Sequence, residues 1–220
     1  MYKNIAFDLG GVVVDFSPRE FLVDHFMNER LENELYDITF GSKEWRMLDA
    51  GEITRHEANC AMLAKAAECG RIFEVEMILS DWMDMLKTRE ETYQIMKRLK
   101  HRGYHIYYLS NISYDVLELL SKRKFWSLFE GGVASCEIGI NKPDLRIYDA
   151  FLKKYNLVAE ETIFTDDDKI NASAAFDAQI TSIHFKNVRL FTKALESYGV
   201  FPDKRKPKAK TVRTNTSVKK

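Results

Sequence analysis

The 220-residue sequence predicts an α/β fold: a doubly wound parallel sheet with an inserted helical subdomain. Three observations predict it. Short β-rich runs end in small or polar residues, helix-like segments fill the gaps between the later runs, and a long helical stretch breaks the rhythm after the first run.

The first run, Ile5–Val14, is interrupted at Asp8-Leu9-Gly10-Gly11. Further runs follow at His105–Leu109, Gly132–Ala134, Thr162–Thr165 and Thr181–Phe185, with helix-like segments at Glu90–Arg102, Ser113–Ser121, Leu145–Tyr155 and Asn171–Asp177. In residues 17–87 apolar side chains recur at spacings of three and four, so that Phe21, Leu22 and Phe26 would share a helical face. Ser17, followed by Pro18 and Glu20, reads as a helix start with a capping serine and proline at the first position. The boundaries predicted are residues 1–16 and 88–200 for the core, 17–87 for the helical insert and 201–220 for a basic tail without ordered structure.

With 45% hydrophobic residues the chain has enough apolar side chains for a substantial core. It contains no apolar run of membrane-spanning length, and its start lacks the apolar region of a signal peptide, so no membrane partner is expected. Cys60, Cys69 and Cys136 are odd in number and lack metal-site spacing, which reads as reduced thiols of a cytoplasmic protein. The zero net charge hides an asymmetry. Residues 203–220 hold eight Lys/Arg against one acid, leaving 25 basic and 32 acidic side chains, a net −7, for residues 1–202. Such a tail without aromatic residues is ordinarily solvated, and no nucleic-acid partner is expected.

Ligands of open α/β sheets bind at the carboxyl ends of the strands. Four such ends carry chemistry here: Asp8 after the first run, Ser110-Asn111 after "HIYYL", Lys142-Pro143 after "GGVASCEIGIN", and Asp166-Asp167-Asp168 after "TIFT". Singly each is an ordinary loop feature. Together they bring a carboxylate, a hydroxyl, an ammonium and an acidic cluster to one rim.

In these residues the chain resembles the haloacid dehalogenase-like hydrolase superfamily, which is mostly phosphatases. "FDLGGVV" is similar to its first motif with Asp8 as nucleophile, and "YYLSN" to the second with Ser110. Lys142 in "GINKPDLRIY" resembles the third, and "IFTDDDKIN", with Asp166, Asp167 and Asn171, the fourth. The resemblance covers residues 1 to about 200. It implies a Rossmann-like core with a small helical cap, and within that subgroup the chain is similar to bacterial sugar-1-phosphate phosphatases. It further implies Mg²⁺ held by Asp8, the Gly10 carbonyl, Asp166 and Asp167, and a small phosphorylated metabolite as substrate. Chemistry agrees: a phosphate dianion repels a carboxylate nucleophile unless cations neutralise the site, and hard oxygen ligands favour Mg²⁺. Asp8 would attack phosphorus, and water would hydrolyse the aspartyl-phosphate. Lys142 would stabilise phosphoryl oxygens and Asp8, while Ser110, Asn111 and the neighbouring backbone N–H groups would donate to phosphate. Gly10 and Gly11 would let the backbone turn and approach it, free of an obstructing Cβ. In such caps aromatic and cationic groups face the substrate, which singles out Trp45 and Arg46.

Most phosphatases of the superfamily have a second aspartate two residues after the nucleophile, as acid and base. Here that position is Gly10. Three readings stand: a substrate whose leaving group needs little protonation, such as an anomeric or acyl phosphate; a replacement acid, with Asp15 and His25 as sequence candidates; or a non-catalytic ligand-binding protein. A 2-haloacid dehalogenase is a further alternative, disfavoured by the TDDD cluster, whose carboxylates repel one another without a cation.

Overall fold

A computed structural model describes residues 1–201. The expected tail lies outside them except for Phe201, which with Val200 is buried in the core and is hydrogen-bonded back to the Leu195 carbonyl. Aromatic burial keeps the chain packed one residue further than its polar composition suggested.

Five strands form one parallel sheet: β1 Asn4–Phe7, β2 His105–Ser110, β3 Gly131–Ala134, β4 Thr162–Asp166 and β5 Thr181–His184. Their order is β3-β2-β1-β4-β5, so the chain reverses its direction of travel across the sheet beside β1. β1 pairs Phe7 with Tyr108 on one side and with Thr165 on the other. Side chains alternate between faces: Ile5, Phe7, Ile106 and Tyr108 enter one buried cluster, Ala6, Tyr107, Leu109 and Phe164 the other.

β1 is shorter than the apolar run that announced it. Gly11 takes φ +67° and folds Leu9–Val14 into a tight turn, with the Val13 and Val14 N–H groups both donating to the Leu9 carbonyl (2.9 Å each). Val12, Val13 and Val14 are buried as a turn, not as strand.

Five helices then follow: α1 Pro18–Phe26, α2 Glu29–Ile38, α3 Lys43–Asp49, α4 Arg55–Cys69 and α5 Ile72–Asp81. Helix α1 does begin at Pro18, but the Ser17 side chain makes no capping hydrogen bond, because its backbone (φ −128°, ψ 70°) is not in the usual capping conformation. Thr54 caps α4 with the full reciprocal arrangement to Glu57. The insert leaves and rejoins the core through two adjacent segments: Val14 pairs with Thr88, and the Asp15 N–H donates to the Lys87 carbonyl (2.8 Å). An Arg89–Asp15 ion pair (2.8 Å) spans the same place.

The rest of the chain alternates in the expected way: α6 Glu90–His101, α7 Tyr114–Ser121, α8 Ser135–Ile138, α9 Leu145–Tyr155, α10 Lys169–Asp177 and α11 Val188–Ser197. Helices α6, α7 and α11 bury Leu99, Val116 and Phe191 on the face shared with the insert, whereas α9 and α10 bury Ile147, Phe151 and Ala175 on the opposite face. The sheet is thus covered on both sides, and no described helix is long and apolar enough to cross a membrane. Cys60, Cys69 and Cys136 are all free thiols.

Candidate active site

The residues after β1, β2 and β4 converge because those strands are neighbours in parallel register. Asp8 follows β1 directly, and its N–H donates to the Thr165 carbonyl (2.9 Å). Asp8 Oδ1 accepts from the Leu9 N–H (2.8 Å). Between Asp8 and Asp166 lies the ammonium of Lys142, completely buried, at 3.0 Å from Asp8 Oδ1 and 2.6 Å from Asp166 Oδ2. It also donates to the Leu109 carbonyl (3.0 Å), so its three N–H groups are directed at three acceptors.

The loop carrying Lys142 is fixed by Asn111. The Asn111 amide donates to the Lys142 carbonyl (3.0 Å) and accepts from the Lys142 N–H (2.7 Å), a reciprocal pair that mimics strand pairing. Asp166 Oδ1 accepts from the Asp168 N–H (2.8 Å) and from Asn171 Nδ2 (3.4 Å). Ser110 is buried; its hydroxyl makes a long contact, 3.5 Å, to the Asn111 carbonyl and is also a hydrogen-bond partner of the Asp8 carboxylate, which favours the ionised form of Asp8. Of the N–H groups after it, that of Ile112 already donates to Ser135 Oγ (2.9 Å). That donor differs from the expectation for it, since it is already committed within the protein.

Asp8, Asp166 and Asp167 each place a carboxylate oxygen within 4.8 Å of the others, the one such cluster among the described residues. Asp167 is exposed as a residue, but its carboxylate lies on the Gly11 backbone. A Cβ on Gly11 would stand 2.1 Å from Asp167 Oδ2. Gly11 is therefore required both by its positive φ and by this approach. Gly10 is not: a Cβ there would meet only the Phe16 side chain, at 3.4 Å, an ordinary contact.

Electrostatics follow from one ammonium serving three carboxylates. Burial raises the Asp8 carboxyl to about 7, with Lys142 opposing and Asp166 and Asp167 adding to the rise. Burial of its inward-facing end and the charge of Asp166 raise Asp167 to about 6. Lys142 is held firmly charged, since Asp166 and Asp8 together outweigh its desolvation. With all four groups ionised the site carries two uncompensated negative charges, which one divalent cation would balance. Three hard oxygen donors at this spacing fit Mg²⁺.

Over this rim lies a cavity of about 60 Å³, bordered by Gly10, Ser110 and Asn111 below and by Phe16, Trp45 and Trp82 above. Trp45 is buried in an aromatic cluster, 4.9 Å from Trp82 and 6.3 Å from Phe16 between ring centroids. Arg46 does not join it. Its guanidinium is exposed and donates to the Gly41 carbonyl (2.9 Å), because adjacent helical residues point about 100° apart. Asp15 and His25 do not line the cavity either. Asp15 is committed to Arg89, and His25, exposed on α1, is bonded through Nδ1 to the Phe21 carbonyl (2.7 Å).

One cavity residue escaped the sequence reading. Asp49, the last residue of α3, lines the cavity. Burial raises its carboxyl to about 7, against the opposing charge of Arg55 and with Asp115 adding to the rise. The available signal was its position four residues after Trp45, on the same helical face.

The match to a family model now bears on this geometry: residues 2–179 match that of the haloacid dehalogenase-like hydrolases. The chain belongs to that family. It is 27% identical to a sesquiterpene phosphatase of Aspergillus oryzae, over 83% of this chain and 89% of the relative. It is 28% identical to a D-ribitol-5-phosphate phosphatase of Bacteroides thetaiotaomicron, over 78% and 85% respectively. Among solved structures, an enzyme of this family from Bacteroides thetaiotaomicron, in complex with magnesium and inorganic phosphate, shares the fold at TM-score 0.65 and 22% identity, covering 84% of this chain and 95% of that one. This chain is a hydrolase with phosphatase relatives.

Two outcomes follow for the protein itself. Gly11→Ala, which forces the Asp167 carboxylate away and strains the backbone, is expected to lower stability by about 1–3 kcal/mol and weaken Mg²⁺ binding, whereas Gly10→Ala is expected to change both little. Urea unfolding and Mg²⁺ titration by calorimetry check this, and equal behaviour of the two variants would contradict it. Secondly, Asp8, Asp49 and Asp167 have folded pKa values above their unfolded ones, so the metal-free native state binds more protons than the unfolded chain from about pH 5 to 7. Its stability is expected to fall as pH rises through that window, and saturating Mg²⁺ to flatten the fall. The carboxylates with lowered values, such as Asp115, act below the window. Urea midpoints at pH 5, 6 and 7.5, with and without Mg²⁺, measure it; a metal-free stability that rises across the window contradicts the assignment.

Proposed function

We propose that this chain is a Mg²⁺-dependent phosphatase that hydrolyses a small phosphate ester through an aspartyl-phosphate on Asp8. The observation that carries the reading is the Lys142 ammonium clamped between Asp8 and Asp166, with Asp167 alongside, at the carboxyl ends of adjoining parallel strands. The same charge arrangement argues against halide release, which needs no divalent ion and gains nothing from three converging carboxylates.

Asp8, Asp166 and Asp167, with the Gly10 carbonyl, would hold the ion, which when bound supplies positive charge to the phosphoryl oxygens and holds Asp8 ionised. Everything else falls to the chain. Asp8 is oriented by the Leu9 N–H and the Lys142 ammonium, leaving one carboxylate oxygen to attack phosphorus. Lys142 stabilises the charge that develops on the phosphoryl oxygens, and the Ser110 hydroxyl, beside Asp8, turns to donate to another of them. Asn111 keeps the Lys142 loop in register. The insert excludes water from the cavity above.

The leaving alcohol sits under the insert, and that space is mostly apolar, with Val14, Phe16, Trp45, Trp82, Leu86 and Val116 on its walls. Such a wall favours an ester whose alcohol is a compact hydrocarbon over one whose sugar hydroxyls would need partners there. The chain's phosphatase relatives include one named for a sesquiterpene and one named for ribitol 5-phosphate, so both classes belong in the assay.

Phosphate release from a panel of alkyl, isoprenyl and sugar monophosphates is expected in the presence of Mg²⁺, to be highest for apolar alcohols, and to fall to background with EDTA or with Asp8→Asn. Trp45→Ala is expected to raise KM for apolar esters about tenfold or more, through lost contact area. Background release across the panel, with Asp8→Asn no slower than the parent chain, would leave a ligand-binding protein in place of the enzyme.

A further inference from the structure

The site as described lacks a proton donor. The position that carries it in most phosphatases of the superfamily is Gly10, and the sequence candidates Asp15 and His25 are engaged elsewhere. Only one carboxyl from the insert borders the cavity shared by Gly10 and Ser110, and that is Asp49.

Several features separate Asp49 from a structural carboxylate. No ion pair holds it among the described residues. Arg55, the cation that acts on it most, is bonded to Asp115 through Nε (2.8 Å) and Nη2 (3.3 Å) and to Ser113 through Nη2 (3.1 Å), while its buried Nη1 makes no hydrogen bond among the described residues. Asp49 is fixed by its main chain: its carbonyl accepts from the buried Ser135 hydroxyl, which ties the end of α3 to the start of α8 on the core. Trp45, one turn earlier, packs against Phe16 and Trp82 and sets the rotation of α3. The side chain is thereby positioned by packing, by main-chain bonds and by a hydrogen bond from the Trp45 side chain one turn earlier, without losing its carboxyl to an ion pair. Its surroundings are mainly apolar, and the charged groups acting on it are Arg55 of α4, Asp115 of α7 and Lys142 of the core loop. A carboxyl kept near neutrality in such a cleft suits proton transfer at physiological pH.

We propose that the Asp49 carboxyl takes the place of the aspartate missing at position 10, as the general acid and then the general base of the reaction. This rests on the phosphatase reading above. In the first step an Asp8 oxygen bonds to phosphorus and the phosphorus–oxygen bond to the alcohol breaks. The departing oxygen takes the proton of Asp49, giving free alcohol, aspartyl-phosphate and an Asp49 carboxylate. In the second step the Asp49 carboxylate takes a proton from water, whose oxygen bonds to phosphorus as the bond to Asp8 breaks. Inorganic phosphate leaves, Asp8 is restored as a carboxylate and Asp49 is protonated again. The sum is ester plus water to alcohol plus phosphate.

The test uses the full chain with Mg²⁺, an alkyl phosphate from the panel, and p-nitrophenyl phosphate, whose departing phenolate needs no proton. Asp49→Asn is expected to lower kcat/KM for the alkyl ester by about 10²–10⁴-fold and for the aryl ester by less than about tenfold. With the aryl ester it is expected to give a burst of nitrophenol and an accumulated phosphoryl group on Asp8, seen by mass spectrometry. The alkaline limb of the alkyl pH profile near 7 should disappear. Since position 10 has room for a side chain, Gly10→Asp in the Asp49→Asn background is expected to restore much of the alkyl activity. Equal losses on both esters without a phosphoenzyme, or no loss on the alkyl ester, overturns the assignment to Asp49 while leaving the phosphatase reading intact. If the parent chain turns over neither ester faster than Asp8→Asn, both readings fall together.

Discussion

The constraint on which the site depends is a charge imbalance. One ammonium, that of Lys142, lies among three carboxylates, and it reaches only Asp8 and Asp166 directly. Burying ions without full compensation is unfavourable, and the rises in the Asp8 and Asp167 carboxyls express that cost. A protein that maximised only its own stability would replace one of these acids with an amide. Retaining all three makes chemical sense where a divalent cation and a phosphate are part of the final arrangement.

Much of the surrounding structure serves to hold that imbalance in place. Parallel pairing of β1 with β2 and β4 sets the separations of Asp8, Ser110 and Asp166. The Asn111 amide fixes the loop that delivers Lys142 from the other side of β2. Gly11 bends the chain after Asp8 sharply enough for Asp167 to lie against its backbone. Each of these devices involves the main chain on at least one side, which tolerates little displacement, and they surround the residues that repel one another.

The core was legible because its signals are local. Runs rich in β-branched and aromatic residues, each ending in a polar group, locate the strands within a residue or two, and the polar groups fall at the ends where ligands bind. The first run misled in extent, since Val12–Val14 look like strand and differ only by the backbone angle at Gly11. Residues in the insert were less legible. Trp45 and Arg46 are sequence neighbours, but one is buried above the site and the other faces solvent, a distinction set by how α3 rotates against Phe16 and Trp82. Asp49 was missed for the same reason: a lone aspartate in a polar helical stretch acquires its environment only from residues distant in sequence, among them Gly10, Ser110 and Val116.

The way the insert is attached has a consequence of its own. It joins the sheet through two short segments running side by side, Val14–Asp15 outbound and Lys87–Thr88 on the return. Helix α3 is also tied to the core at its far end, where the Asp49 carbonyl accepts from the Ser135 hydroxyl and the Arg46 carbonyl from the Asn141 amide (2.8 Å). Trp45 and Asp49 stand on the same short helix, so one packing arrangement sets both the aromatic wall of the cavity and the carboxyl beside it. Substitutions on the cavity face of that helix therefore alter the wall without altering the strand pairing that positions Asp8.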